Sequence, residues 1–227
     1  MKLILIIATL ILSKSVLAFP QLYFSDAQPY DVMCINGFDY SNLNNNQTKT
    51  LKLNEESSKE LRSRIGEFQK QWDLVAPQLF NILVNKFKHD FKRKEYSVAL
   101  SICPDSPSMP KPLVLNISRY LKSYMSPKQP KEMAQFIDVV FHELLHLWLF
   151  ENFNQESIIK KKYKKHDESV INHIHLFAIE SYVLEKAGFS EVWKNTKEFI
   201  NKKGGPHLKA LTIMEKEGRD KVLQEIN

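Results

Sequence analysis

The chain has 227 residues, 43% of them hydrophobic, 26% charged and 11% aromatic. That balance excludes a disordered, collagenous or disulfide-packed protein and fits one ordinary domain over residues 19–227. The formal charge of +6, with 32 basic and 26 acidic residues, raises an acidic partner such as nucleic acid, a reading that depends on where the charge lies.

In chain order, Lys2 precedes an apolar run from Leu3 to Leu12, and Val16-Leu17-Ala18 follows. This is the pattern of a cleavable export signal over residues 1–18. The run is about half of the ~20 residues that span a bilayer, and no later segment reads as long and apolar enough to do so. The expected product is secreted or periplasmic, with no stable membrane anchor after cleavage. Cleavage removes Lys2 and Lys14, and much of the remaining excess lies in Lys160 to Lys165, a solvated connection, so nucleic acid is not an expected partner. Cys34 and Cys103, in a chain that enters an oxidising compartment, are expected to form one structural disulfide. The sequons Asn46-Gln47-Thr48 and Asn116-Ile117-Ser118 matter only in a eukaryotic secretory route. The sequence sets no oligomeric state.

Residues 19–53 read as an irregular segment with a short strand. Ser57 and Glu60 have the spacing of a capping box, and Leu61, Ile65, Phe68, Trp72 and Val75 repeat at helical period after it. Ala76-Pro77 is expected to end that helix, and Leu79, Ile82, Leu83 and Phe87 begin a second one. The period then falls to two over residues 96–102 and 113–117, two strands separated by a loop rich in Pro and Ser. Residues 131–153 contain neither Gly nor Pro and are very apolar from Phe136 to Phe150, which predicts a long buried helix. A further helix follows between Asp167 and Gly188, another between Ser190 and Gly204-Gly205, and a polar helical tail ends the chain. The expected class is α+β, a small sheet with a mostly helical C-terminal half.

The chemistry is concentrated in His142-Glu143-Leu144-Leu145-His146. On a helix, residues four apart project from one face, so both imidazoles can reach one metal ion. Glu143 stands at the edge of that face, where a carboxylate can take a proton from a metal-activated water and pass it to a leaving amine. From Phe136 to Phe150 every position outside the motif except Asp138 is apolar. Two histidines and a glutamate in such a helix need a partner, and a metal supplies one.

This helix resembles the active-site helix of the zincin superfamily of zinc metallopeptidases. The resemblance covers only this segment and loosely the helix after it. It implies a small twisted sheet over the active helix, one catalytic Zn2+ and peptide-bond hydrolysis, with an extended substrate paired along a strand beside the site. Leu113 to Ile117 is the nearest such strand in sequence. Metzincins carry a glycine and a third histidine at the positions held here by Leu149 and Asn152, which excludes that branch. The thermolysin-like branch places a ligand glutamate on the next helix with an aspartate one turn later; Glu180 matches, but Leu184 stands in place of the aspartate.

The third ligand is expected on the helix spanning Glu168 to Ala187. His175 shares a face with Ile171, Ala178, Ile179 and Tyr182, an apolar face suited to packing on the active helix, and is the first choice. His173 and Glu180 share the opposite face, as alternative ligands or as groups that position water or substrate. His166 and Glu168 are lesser candidates, and Tyr182 is weighed as an oxyanion donor. The resulting expectation is an exported zinc metallopeptidase or related amide hydrolase acting on a peptide or protein. His142, His146 and His175 hold Zn2+, and Glu143 is the general base. The alternative is a secreted, non-catalytic binding protein on the same scaffold.

Overall fold

The computed structural model describes residues 19–27, 31, 45–103, 108–125, 129–153 and 157–226, with the side chains of 45–54 left aside. The export signal expected at 1–18, the disulfide expected through Cys34 and the Asn46 side chain lie outside the described residues. The class is α+β, with a small mixed sheet in the first half and helices after it.

Strand β1 (Gln21–Asp26) alternates inward Leu22 and Phe24 with exposed neighbours. It pairs in parallel with β2 (Glu95–Ser101), with Leu22 opposite Tyr96 and Phe24 opposite Val98. The intervening helix α1 (Asn45–Phe87) is the crossover that a parallel pair requires. β2 pairs in parallel with β4 (Leu113–Asn116), and β3 (Met109–Pro110) adds antiparallel to β4, giving the order β1-β2-β4-β3. β4 buries Leu113, Val114 and Leu115 between two partners. It therefore has no open edge for a substrate, contrary to the expectation for residues 113–117, and the free edge beside the later helices belongs to β3. At the end of β4, the Asn116 amide donates to the Cys103 carbonyl at 2.6 Å and its Oδ1 accepts from Ser118, so this sequon asparagine works inside the fold.

Helix α1 departs from the sequence reading twice. Pro77 does not end it. The ring lies on an exposed face, while Trp72, Ala76, Leu79, Phe80 and Leu83 on either side are buried. Core burial of that size outweighs one missing backbone hydrogen bond. Nor do Ser57 and Glu60 form a capping box at its start. Both lie inside α1, and the Glu60 carboxylate instead accepts from the Lys122 and Ser123 backbone N–H groups at 2.9 and 2.8 Å. It thereby caps the short helix α2 (Lys122–Met125).

Helix α3 (Met133–Asn152) is the expected buried helix. Contrary to expectation it is long and apolar enough by composition to cross a membrane, but just over half of its apolar stretch is buried inside the fold. Phe136 contacts Phe24 of β1 and Phe68 of α1, with ring centroids 5.7 and 4.7 Å apart. Trp148 packs on Phe87 and donates its indole N–H to the His89 carbonyl at 3.1 Å. The rest is helical: α4 (Ile158–Lys162), α5 (Glu168–Lys186), α6 (Ser190–Lys203), α7 (Gly205–Glu217) and α8 (Arg219–Gln224). α5 is central, packed on α1, α3, α6, α7 and α8. The tail is less polar in its role than in its composition. Ala210, Leu211, Met214, Val222 and Leu223 are all buried.

Candidate metal centre

Helix periodicity places His142 and His146 on one side of α3, their rings 5.0 Å apart. The third imidazole comes from α5. His173 stands 5.4 Å from the His142 ring and 4.7 Å from that of His146, and one ligand atom from each of the three lies within 4.8 Å of the others. Zinc sits ~2.0–2.1 Å from an imidazole nitrogen, so small side-chain movements suffice to bring the three onto one ion.

Two of the rings are held by their other nitrogen. His142 Nδ1 donates to the Glu180 carboxylate, 3.0 and 3.2 Å from its two oxygens. His173 Nδ1 donates to the Ser169 carbonyl, one helical turn back, at 2.6 Å. Both acceptors fix the tautomer and leave Nε2 as the lone-pair donor, as metal-ligating histidines require. The donor set therefore fits a divalent transition metal.

Charge follows burial. Desolvation pushes the His146 imidazole down to about 3, with His142 adding to the effect, and the same two influences lead for His173. Neutral rings are the ligating form. At His142 burial acts in the same downward direction, but buried Glu180 outweighs it and raises the group to about 9. Glu143 is only 7% exposed. Burial pushes its carboxyl up, and His142 opposes that shift. Asp138, one turn before His142, is driven to about 8 by burial and then by Glu180. Its Oδ2 accepts from Thr196 at 2.5 Å, while its buried Oδ1 has no partner.

The three histidines, Glu143 and Asp138 open on a cavity of about 570 Å³ that is also lined by Tyr120, Phe199 and His207. A second cavity of about 320 Å³ shares Pro110, His146 and Asn172 with the first. The two make one cleft across the site, with β3 along it.

The first-choice third ligand is corrected. His175 is 1% exposed and, although it lines the second cavity with His146, it stands outside the three-histidine cluster. Its Nε2 lies 3.0 Å from Glu225 and 3.4 Å from Ser157 Oγ, and its ring lies tilted against Phe153 at 4.8 Å. The physical reason is that α5 is buried on every side from His173 to Ser181. An apolar face therefore does not identify the one that meets α3; His173, Phe177 and Glu180 do so, and Ile171 is only half-buried. Glu180 orients a histidine and is absent from the three-histidine cluster. Tyr182 packs under the Lys86 ammonium, and His166 lies beside Tyr163, neither of them lining the cavity.

Sequence reasoning missed His207, whose ring is 4.3 Å from that of His173. It sits in the first turn of α7, after Gly204 and Gly205, both at positive φ (70° and 74°). Consecutive left-handed residues let the chain turn from α6 into α7 without side-chain strain. The signal available was the run Gly204-Gly205-Pro206-His207, a helix start that faces inward.

Comparison of the chain with protein-family models, with curated proteins and with solved structures finds no match.

Proposed function

We propose that this chain is an exported zinc-dependent hydrolase of peptide or related amide bonds. The observation that carries the reading is the cluster of His142, His146 and His173 on one cleft with Glu143. Three imidazole ligands with an open side are the donor set of catalytic rather than structural zinc sites. The resemblance of the active helix to zincins agrees with it, as does a small sheet whose antiparallel edge strand lies next to that helix.

His142, His146 and His173 would hold the Zn2+, which when bound would supply a water with its pKa lowered towards ~7 and a Lewis acid for a carbonyl. Glu143 would take the proton and later deliver it to the departing amine, a task helped by burial, which raises its carboxyl. Glu180 and the Ser169 carbonyl keep His142 and His173 aimed at the ion. Phe177, against the His142 and His173 rings, keeps water from their flank. The edge of β3 offers main-chain pairing to an extended substrate, limited to few bonds because Pro110 has no N–H.

The test is metal analysis of the chain purified after export, with hydrolysis of a mixed peptide library by the wild type and by Glu143→Gln. Zinc near one equivalent, with cleavage lost in the variant and zinc retained, is the expected result. Zinc without cleavage by either protein would assign the chain to non-catalytic binding. No zinc after careful purification would sink the site.

A further inference from the structure

Three cations converge on one aromatic ring at the rim of the cleft. The Lys131 ammonium lies 4.9 Å from the Phe199 ring centroid, the Lys203 ammonium 5.9 Å and the Arg119 guanidinium 5.9 Å. They come from three separate places: Arg119 from the 3-10 turn Ser118–Tyr120, Lys131 from the approach to α3, and Lys203 from the end of α6. Lys131, Lys203 and Phe199 line the same cavity as the histidine cluster.

None of the three cations has a carboxylate within ion-pair distance among the described residues. Elsewhere on the surface, by contrast, Arg64 pairs with Glu60 and Glu67, Lys162 and Lys221 pair with Glu217, and Arg219 pairs with Glu185. The cavity's own acids, Asp138 and Glu143, form no ion pair with these cations among the described residues. Asp138 is 6% exposed and bonded to Thr196, and Glu143 stands at the metal side. Only Lys131 is half-buried among the three cations; like charges gathered around one ring repel, and the ring face compensates only part of that repulsion. Burial and then neighbouring Arg119 push the Lys131 ammonium down, and Asp138 offsets only part of that shift. Such an arrangement is stabilised by an anion that arrives with the ligand.

We propose that Arg119, Lys131 and Lys203 around Phe199 form a subsite for a carboxylate of the substrate, so that the cleft selects acidic peptides. The carboxylate is that of an Asp or Glu side chain or the free C-terminus; both present the same planar anion to the same cations. This rests on the peptidase reading for its substrate class. Its test is therefore a binding measurement that does not need turnover.

Three fluorescent hexapeptides of otherwise equal sequence separate the sources. One has a Glu and an amidated C-terminus, one has Gln and a free C-terminus, and one has Gln and an amidated C-terminus. Anisotropy is measured on the metal-free wild type and on zinc-loaded Glu143→Gln. One carboxylate peptide is expected to bind roughly 10-fold tighter than the neutral one, the worth of a charge-assisted contact, and which one does so names the source. The advantage should fall on raising salt and vanish in Lys131→Gln/Lys203→Gln. Lys203→Glu, at an exposed position, should turn the preference towards a Lys-containing peptide. Equal binding of all three peptides, no binding of any, or a preference untouched by these variants overturns the subsite. Carboxylate preference without cleavage by the wild type retires the peptidase reading and keeps the subsite. Equal cleavage of all three does the reverse.

Discussion

His142 Nδ1 lies 3.0 Å from Glu180 Oε1 across the packing of α3 on α5, and Glu180 has no solvent exposure. A buried carboxylate without a partner is strongly unfavourable, so each residue fixes the other. The pairing also locks the imidazole in the tautomer that leaves Nε2 for a metal. Glu180→Gln keeps the shape but weakens the acceptor, and it should lower zinc affinity ~10–100-fold with the fold intact by circular dichroism. Competition against a chromophoric chelator measures it. Unchanged affinity would reduce Glu180 to a packing role.

Exchange of the two α5 histidines separates ligand from structure. His173→Ala removes one of three clustered donors and should abolish stoichiometric zinc binding. His175→Ala should leave zinc binding near wild type while lowering stability by ~1–3 kcal/mol, since it deletes the group that meets Glu225 and packs on Phe153. Urea midpoints and zinc titrations on both variants check this. The reverse pattern would restore His175 as the ligand.

The parts of this site legible in the sequence are those set by local geometry. His142 and His146 share a face because four residues make about one helical turn, and Glu143 follows from the same helix. The choice between His173 and His175 depends on which way α5 is rotated against its neighbours. Periodicity carries that information only where one side of a helix faces water, and from His173 to Ser181 none does. His207 and the rim cations depend on chain reversals at 204–205 and at 118–120, which join residues far apart in sequence. For the fold, β2 is legible by alternation, whereas β4 buries three consecutive residues and is legible only as a short apolar run bounded by turn residues. The continuity of α1 through Pro77 is not legible, because burial on both sides of the proline is a tertiary effect.

Acid sensitivity is expected at the seam between α4 and α7. Glu217, with a side chain 4% exposed, accepts from Lys162 at 2.5 Å, Tyr163 at 2.6 Å and Lys221 at 2.9 Å. The bonds from Lys162, then Tyr163 and Lys221, hold its carboxyl down at about 2, against 4.5 for an unperturbed group. A depressed carboxylate stabilises the folded state fully above the unfolded value and loses that contribution as pH falls towards the folded one. Glu217→Gln should therefore cost ~1 kcal/mol at pH 7, a modest figure because both lysines are largely in water. The gap between variant and wild type should narrow as pH drops from about 5 to 3, followed by urea denaturation. A gap constant over that range would show that packing, not charge, accounts for the loss.

Pro77 offers a stabilising change. Inside α1 it lacks the N–H that would bond the Asp73 carbonyl, and its ring is exposed. Alanine restores the donor and has the highest helix propensity, while the flanking core residues Trp72, Ala76, Leu79 and Phe80 keep their places. Proline in a helix interior is ~3 kcal/mol worse than alanine, and part of that gain is offset by the greater freedom alanine gives the unfolded chain. Pro77→Ala is therefore expected to raise stability by ~1–2 kcal/mol, seen as a higher urea midpoint with unchanged slope. Zinc affinity should not move, because α1 supplies no group to the histidine cluster. A lower midpoint would mean that the backbone set by Pro77 is what seats Phe80 against Trp72 and Phe91, whose rings it meets at 5.8 and 5.2 Å.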